Sequence, residues 1–430
     1  MTGVSSSRVW RNYTLQATSH EPPNPNFAQK HCTMTHTPRQ RLRLSTLRSF
    51  ARLTPPDSTQ QASLDTIGGA LPPSPHILVI RPDHLGDLLF STPALRILRR
   101  RFPDAHISAL IGPWGVPALR DCPHINDIIT LPFPGFTKQA KPSPWQPYAL
   151  LHRWARQLQG RYDLAVVLRF DHWWGALLAY LARIPQRVGY NVPEVAPFLS
   201  HAASHIAGRH QVLQNLRLFD WDEVNAHPSG SIHHEATPLD CPLEFHIPEQ
   251  AVAWVKKLLS HSRPIAIHPG AGAAIKLWRV DGWVAVADAL SRETDSQIIL
   301  TGTQAEHPLC VEIAAKMESE PLVLAGETTL DQLAAVLSKC RLVLGLDSGP
   351  LHLAVATGTT TVHLYGPVDA EIFGPWGSKE RHRVLVSGWP CIPCNRLDYG
   401  PNELANHPCV REISTDAVLT AAHQTLAAEL

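Results

Sequence analysis

The chain has 430 residues, which is long enough for two domains that each bury a hydrophobic core. Charged residues make up 17% of the sequence and hydrophobic residues 44%, a composition that favours a compact enzyme over a disordered protein. The net charge of +1 gives no support for nucleic acid as a partner, and no apolar run approaches the roughly 18 residues that span a bilayer.

The first 75 residues are predicted to be a mostly disordered basic and polar tail. They contain eight Lys or Arg residues against three Asp or Glu residues and show little periodicity. The start, MTGVSSSRVWRNYT, lacks the apolar core of a secretory signal, so a cytoplasmic protein is expected. Segment 39–53, RQRLRLSTLRSFARL, could form a basic amphipathic helix that lies on an anionic membrane. A solvated arm, or a start codon placed too far upstream, explains it as well.

From His76 onward, short β-rich runs alternate with helical stretches. The first half contains the runs HILVIR, HISALIG, DIITL and DLAVVLRF, with helices predicted at PALRILRRRF and WGALLAYLARI. The second half repeats the pattern with PIAIHP, QIILTG, PLVLAG, RLVLGLD and TTVHLYG, separated by WVAVADALSRE, AEHPLCVEIAAKM and LDQLAAVLSKC. Thr329 and Gln332 predict a capping box that opens the last of these helices.

This alternation predicts an α/β fold of two doubly wound parallel-sheet domains that face each other across a cleft. The polar, Pro-rich stretch 221–248 interrupts both patterns and is interpreted as the linker. The expected division is therefore a tail (1–75), an N-terminal domain (76–245) and a C-terminal domain (246–430). Ligands of such sheets bind beyond the carboxyl ends of the strands.

One polar turn, DSGPLH (347–352), directly follows the run RLVLGL. Pro350 suits the first helical position, which makes Gly349 the predicted N-cap and leaves donors, including the N–H of Leu351, free to bind phosphate. Asp347 could orient the loop or accept from a ribose or an imidazole. Alternatively, Asp347 and Ser348 only cap the helix.

A second polar turn follows HILVIR, in the stretch RPDHLGDLLFSTPAL. Thr92 and Pro93 are predicted to be the N-cap and first residue of the next helix. Asp87, after Gly86, is then expected at the mouth of the cleft, where a carboxylate could act as a base. Capping of a short turn is the alternative.

Candidates for the acceptor side come from the first half. Arg169, Asp171 and His172 follow the strand DLAVVLRF, and His84 lies within the turn before Asp87. A solvated loop would explain the residues after DLAVVLRF equally well.

A third stretch, IAIHPGAGAAIKLWRVDGW, places a loop of small residues after a strand. Small residues such as Gly270 let the backbone approach a diphosphate, and Lys276 supplies a point charge to it. The order of a Walker A motif is absent, and no strand leads into G-x-G-x-x-G, which disfavours a nicotinamide-dependent oxidoreductase.

Three cysteines cluster near the C-terminus: Cys391, Cys394 and Cys409, with His407 beside the last. These are zinc-ligand types, but their spacing differs from that of familiar zinc modules, so a cysteine-rich surface loop is preferred over a metal site. The other cysteines are isolated and are expected to be reduced and to pack as small hydrophobic residues.

The stretches IRPDHLGDLLFSTPAL and DSGPLHLAVATGTTTVHLYGP resemble the L-G-D and D-[ST]-G-x-x-H-L-A signatures of the heptosyltransferase family, family nine of the glycosyltransferases. The cysteine-bearing WPCIPC…HPCV segment is also similar to many members. The resemblance covers about residues 76–425. It implies a GT-B fold of two Rossmann-like domains, with the donor nucleotide bound by the C-terminal domain and the acceptor by the N-terminal domain.

The resemblance also implies an activity, transfer of heptose from ADP-heptose to a lipopolysaccharide-core hydroxyl. Asp87 matches the catalytic base and Lys276 the donor-phosphate lysine. The other donor-side residues that it implies are Gly270, Glu306 as a ribose contact, and Asp347, Ser348, Gly349 and His352 in the nucleotide-binding turn. Direct displacement with inversion needs this one base and no dedicated metal or other cofactor.

The partners expected are therefore a nucleotide-sugar and a lipid-linked glycan at the inner membrane surface, bound by a monomer. Pro82-Asp83-His84 and Gly270-Ala271-Gly272 replace hydroxyl-rich residues common in the family, so a different nucleotide-sugar donor is one alternative. A non-catalytic sugar-nucleotide-binding homologue is another, if Asp87 does not reach the cleft.

Overall fold

The structure, a computed structural model, describes residues 71–137, 143, 145–219, 237–259 and 263–428. The predicted tail up to residue 70, including segment 39–53, lies outside the described residues, as does the part of the predicted linker from 221 to 236.

The N-terminal half is built on a six-stranded parallel sheet with the strand order β3-β2-β1-β4-β5-β6. Its strands are β1 (His76–Arg81), β2 (His106–Ile111), β3 (Asp127–Thr130), β4 (Leu164–Val167), β5 (Gln186–Tyr190) and β6 (His201–Ala203). Its helices are α1 (Leu85–Leu89), α2 (Thr92–Arg101), α3 (Val116–Leu119), α4 (Gln146–Leu158), α5 (Trp173–Leu181) and α6 (Gln211–Arg217).

The C-terminal half repeats this topology, with the order β9-β8-β7-β10-β11-β12, again all parallel. Its strands are β7 (Ile265–His268), β8 (Ile298–Leu300), β9 (Leu322–Val323), β10 (Leu342–Leu346), β11 (Thr361–Tyr365) and β12 (His382–Val386). Its helices are α7 (Glu249–Leu258), α8 (Val280–Thr294), α9 (His307–Ala314), α10 (Leu330–Leu337), α11 (Gly349–Ala356), α12 (Ala370–Phe373) and α13 (Thr415–Ala427).

Strand β1 shows why helices must cover both faces of the sheet. Ile77 and Val79 belong to one hydrophobic cluster and Leu78 and Ile80 to another, and all four are at most 2% exposed. A strand buried on both faces is nearly continuously apolar, so the runs that predicted strands are those at the centre of a covered parallel sheet.

The predicted fold class is confirmed, and every strand predicted from an apolar run is present. Strands β5, β6 and β12 were not predicted. They are short and lie toward the edges of the sheets, and polar or partly exposed residues interrupt their apolar pattern. Among the helices of the described residues, none combines the length and the apolar character needed to cross a membrane.

The predicted helix caps were correct in one case and displaced by one residue in two. The capping box of Thr329 and Gln332 is present. The N-cap of α2 is Ser91 rather than Thr92, and the N-cap of α11 is Ser348 rather than Gly349. In both helices the proline occupies the second helical position, where its missing N–H also costs no hydrogen bond.

The two halves meet where α1 packs against the start of α11. A Cβ atom placed on Gly86 would lie 2.9 Å from Cδ2 of His352, and one on Gly349 would lie 3.0 Å from Cβ of Leu85. Two glycines therefore allow the helix starts to touch, which brings the turn that carries Asp87 next to the turn that carries Asp347.

Candidate active site

Both sheets place the predicted polar turns at equivalent points. The strand order reverses direction between β1 and β4 in one sheet and between β7 and β10 in the other. The crevice outside the carboxyl ends of two such strands is where open α/β sheets bind ligands. All predicted site residues follow one of these four strands or the neighbouring β8.

Asp87 lies in the first turn of α1, and its side chain is 30% exposed. Its Oδ1 accepts a hydrogen bond from Nη2 of Arg81 at 3.1 Å. Arg81 is the last residue of β1, 3% exposed, and also donates to Oδ1 of Asn215 at 3.3 Å. Asn215 in turn donates to the carbonyl of Phe90 at 2.9 Å. A buried arginine, held by fixed partners, therefore fixes the orientation of the Asp87 carboxylate.

A second carboxylate, which is buried, completes this network. Asp83 is 2% exposed, and its Oδ2 lies 2.8 Å from Nε of Arg81 while its Oδ1 accepts from Nη1 of Arg169. Arg169 also pairs with Asp171, with 2.6 Å between Nε and Oδ1. Two arginines and three carboxylates thus form one chain, Asp87–Arg81–Asp83–Arg169–Asp171, that joins the ends of β1 and β4.

The network determines the protonation of its carboxylates. Burial raises the pKa of Asp87 to about 6, and the Asp83 charge adds to the increase against the opposing effect of Arg81. Burial also opposes ionisation of Asp83, but Arg81 and Arg169 hold the pKa of that carboxyl below its usual value. Asp83 is therefore ionised at neutral pH, while Asp87, with a pKa of about 6, titrates in the range that suits a general base.

The remaining acceptor-side candidates differ in exposure. The side chain of Arg169 is 35% exposed, and its guanidinium group also lies 5.3 Å from the centroid of the Phe136 ring. His84 is exposed, and its ring lies 5.4 Å from that of Trp114. His172 is 5% exposed, and burial lowers its pKa to about 4, so it is a neutral buried imidazole.

On the donor side, Lys276 and Asp347 form an ion pair. Nζ of Lys276 lies 2.6 Å from Oδ2 of Asp347, and the two side chains are 14% and 10% exposed. Lys276 sits in a short 3-10 turn after β7, whereas Asp347 follows β10. The ammonium group is therefore held at the start of α11, where a phosphate could take the place of the carboxylate.

The space that a side chain at position 270 would fill is occupied by the carboxylate of Glu306. A Cβ on Gly270 would lie 2.1 Å from Oε1 of Glu306. Oε2 of Glu306 accepts from the backbone N–H of Thr303 at 2.7 Å and from its hydroxyl at 2.9 Å. The same oxygen lies 4.0 Å from Nε2 of the buried His268. Nothing lies within 4 Å of a Cβ on Gly272, so the open side of this loop is at Gly272.

The turn 347–352 differs in detail from its prediction. The N–H of Leu351 is not free, because it donates to the carbonyl of Ser348 at 3.2 Å. His352 is 3% exposed and contacts the ring of Phe90 with 4.6 Å between centroids. Burial lowers the pKa of His352 to about 4, so this side chain packs between the halves as a neutral group.

Sequence reasoning did not single out Arg81, Asp83 as a network member, or Asn215. A signal existed for the first two: a charged residue ends the otherwise apolar run HILVIR, and an acid follows two positions later. No sequence signal identified Asn215, because 134 positions of sequence separate it from its partner Arg81.

The C-terminal cysteines lie near one another. Burial raises the pKa of Cys409 to about 11, and the charges of Cys391 and Cys394 add to the increase. Sγ of Cys394 lies 3.5 Å from the hydroxyl of Tyr399. Within the described part of the chain, no group of three or more His, Cys, Asp or Glu side chains has an arrangement that could hold a metal ion. As predicted, the isolated Cys241, Cys310 and Cys340 are buried.

Two doubly wound parallel sheets with paired crevices, joined through the starts of α1 and α11, constitute a GT-B fold. Two solved structures share this fold. A glycosyltransferase of family 9 from Veillonella parvula superimposes with a TM-score of 0.65 at 22% identity, covering 82% of this chain and 97% of that one. The ADP-heptose lipopolysaccharide heptosyltransferase II of E. coli gives 0.63 at 24% identity, covering 82% and 99%.

The chain belongs to glycosyltransferase family 9 (heptosyltransferase), whose family model matches residues 151–398. It is 28% identical over 376 residues to lipopolysaccharide heptosyltransferase 2 of Salmonella typhimurium, covering 82% of this chain and 99% of that protein. It is also 28% identical over 307 residues to lipopolysaccharide heptosyltransferase 3 of Escherichia coli, covering 68% and 84%. The predicted family is confirmed, and the protein is a glycosyltransferase.

Proposed function

We propose that this enzyme transfers heptose from ADP-heptose to a hydroxyl of the lipopolysaccharide core, with inversion at the transferred carbon. The names of its relatives support this donor and acceptor. The observation that carries the chemistry is the Asp87 carboxylate, fixed by Arg81 and with a pKa of about 6, beside the turn that holds the Lys276–Asp347 pair.

In the proposed mechanism, the N-terminal half binds the acceptor and the C-terminal half binds the donor. Arg81 occupies Oδ1 of Asp87, so Oδ2 is assigned to the acceptor hydroxyl. Asp87 takes the hydroxyl proton as the oxygen attacks the sugar carbon, and the bond from that carbon to the diphosphate breaks. The electron pair of that bond leaves with ADP, and the proton on Asp87 is later lost to solvent. One base is sufficient because no covalent sugar–enzyme intermediate forms.

The donor side supplies charge to the leaving group. Lys276 is proposed to exchange Asp347 for the diphosphate, whose negative charge grows as the bond breaks. The backbone at Gly272 and the start of α11 provide space and positive potential for the same groups. Glu306, which faces the loop after β7, is proposed to contact the ribose. A different nucleotide-sugar remains the alternative donor, since the contacts of Glu306 do not select a sugar.

The test compares Asp87→Asn and Asp347→Asn by calorimetric ADP binding and by single-turnover transfer. Asparagine keeps the shape of Asp87 and its bond to Arg81 but cannot take a proton. Transfer should therefore fall by about 10²–10⁴-fold while ADP affinity persists. Asp347→Asn should weaken ADP binding, because it disturbs the turn in which Asp347 holds Lys276. Transfer by Asp87→Asn within tenfold of the wild-type rate would refute the assignment of the base.

A further inference from the structure

Helix α4 presents an unusual face to solvent. Trp145, its N-cap residue, is 75% exposed, and Tyr148 is 50% exposed, with 6.3 Å between the two ring centroids. Large aromatic side chains in soluble proteins bury much more of their surface. Two of them side by side at one helix start constitute an exposed aromatic pair that internal packing does not explain.

The rest of the same face is basic. The exposed positions Tyr148, Ala149, His152, Arg153 and Arg156 follow Trp145 at the spacing of one helical stripe. The opposite stripe, Leu151, Ala155 and Leu158, is buried against the domain. From Trp145 to Tyr162 the sequence contains no Asp or Glu. Within the described part of the chain, Arg153 and Arg156 have no ion-pair partner, so their charges are available to an external anion.

The start of α4, which carries the aromatic pair, is connected to the acceptor side by a series of contacts. The carbonyl of Pro147, in the first turn of α4, accepts from Nε1 of Trp174 at 3.3 Å. Trp174 contacts Phe133, with 5.8 Å between ring centroids, and Phe133 contacts His172 at 5.2 Å. His172 follows Asp171, the outer end of the ion-pair network. The helix start that carries the aromatic pair is therefore connected through these contacts to the acceptor-side segment 169–172.

We propose that the α4 face, defined by Trp145, Tyr148, His152, Arg153 and Arg156, docks the enzyme on an anionic phospholipid surface. Aromatic side chains with one apolar part and one polar part favour the interfacial region of a bilayer. Arginines near an anionic leaflet add attraction that salt screens. The aromatic pair at the start of α4 fits the interfacial region of the bilayer, and the arginines in the second half of α4 fit its anionic headgroups. The inference rests on the proposed function only for the lipid character of the acceptor.

The first test measures binding of the full-length chain to sedimented vesicles. The vesicles consist of phosphatidylcholine alone or of phosphatidylcholine with about one-third phosphatidylglycerol, an anionic lipid. Trp145→Ser/Tyr148→Ser should weaken binding to anionic vesicles about tenfold. Arg153→Gln/Arg156→Gln should weaken it by about 25-fold, about fivefold for each arginine, and leave binding to neutral vesicles unchanged. Matched controls are Leu239→Ser, 90% exposed elsewhere, and Lys256→Gln/Lys257→Gln on α7. Equal effects of control and α4 variants would overturn the proposal.

A second measurement separates this face from any contribution of the basic N-terminal tail. Hydrogen–deuterium exchange of the full-length protein on anionic vesicles should show protection in the first two turns of α4 and none in α7. Protection of other segments with no change in α4 would overturn the proposal even if the protein binds vesicles. Protection by a soluble protein partner but not by vesicles would have the same consequence.

The third measurement links docking to catalysis. For a vesicle-embedded acceptor, Trp145→Ser/Tyr148→Ser should lower kcat/KM about tenfold, whereas transfer to the deacylated acceptor in solution should be unchanged. An equal loss on both acceptors would assign these residues to acceptor binding instead. If neither acceptor is used, the proposed function fails while vesicle binding and exchange still report on the docking face.

Discussion

Asp83→Asn is expected to move the acid limb of the pH–rate profile to lower pH. In the native protein the pKa of Asp87 is raised to about 6, first by burial and then by the Asp83 charge, against the effect of Arg81. Asparagine removes the repelling charge and leaves Asp87 as the carboxylate partner of Arg81. Both changes favour ionised Asp87, so its pKa should fall.

The structure sets bounds on the size of this shift. A full return to the ordinary value of 3.8 would lower the pKa of Asp87 by about two units, but burial, the largest cause, remains. A decrease of about one unit is therefore expected. At pH 5 the ionised fraction would rise from about one-tenth to about one-half, so the ratio of kcat/KM at pH 5 to that at pH 8 should increase about fivefold.

The assay is kcat/KM with saturating donor from about pH 4 to about pH 8, which is about two units either side of the native Asp87 pKa of about 6. Asp171→Asn is the matched control, because it removes a charge from the outer end of the network and leaves the contacts of Asp83 and Asp87 intact. Thermal melting establishes that each variant is folded. An acid limb that stays in place in folded Asp83→Asn, or that moves to higher pH, would show that Asp83 does not control the basicity of Asp87.

Three further outcomes are expected. Because the pKa of Asp87 is raised in the folded state, ionisation of Asp87 destabilises the protein progressively between about pH 4 and about pH 6 and fully above that range. Asp87→Asn should therefore raise Tm at about pH 8 but leave it unchanged near about pH 3.5. Scanning fluorimetry at the two pH values measures the difference. Lys276→Met should weaken calorimetric ADP binding at least about tenfold, since it removes a charge-assisted contact, whereas unchanged affinity would exclude Lys276 from the diphosphate site. Gly86→Ala places a Cβ 2.9 Å from Cδ2 of His352 and should lower Tm. Gly272→Ala is the matched control because its Cβ meets no atom within 4 Å, whereas Gly208→Ala is unsuitable because the φ of Gly208 is positive. Equal Tm values for Gly86→Ala and Gly272→Ala would mean that the contact between α1 and α11 adjusts to the added Cβ.

The central strands could be predicted because they are buried on both faces. HILVIR and RLVLGL have no solvent side, so an apolar run and a strand coincide in them. Strand β12, His382–Val386, is only partly buried, and its polar residues hide the pattern. The position of the candidate site was predicted by the same logic, since Asp347 directly follows the central strand β10 and Asp87 lies in the first helix after the central strand β1.

The partners within the site could not be predicted in this way. Whether Arg81 pairs with Asp87 depends on how Asn215 and Asp83 occupy its other donors, and Asn215 arrives from α6 far along the chain. Local propensity likewise does not separate Ser348 from Gly349 as the cap of α11, because both residue types favour that position. Contacts between distant segments decide both questions.

Gly86 and Gly349, which lie at the junction where α1 contacts α11, connect the absence of a side chain to the geometry of the proposed reaction. Sequence reasoning assigned Gly349 to a helix cap that admits an anion, but its missing Cβ faces Leu85 of the other half at 3.0 Å. Gly86 faces His352 in the same way. Because each glycine lies within two residues of a candidate-site carboxylate, the close approach of α1 and α11 sets the distance between the proposed base and the proposed nucleotide-binding turn. A bulkier residue at either position would separate the two crevices, so the junction is expected to control transfer more strongly than it controls binding of either substrate alone.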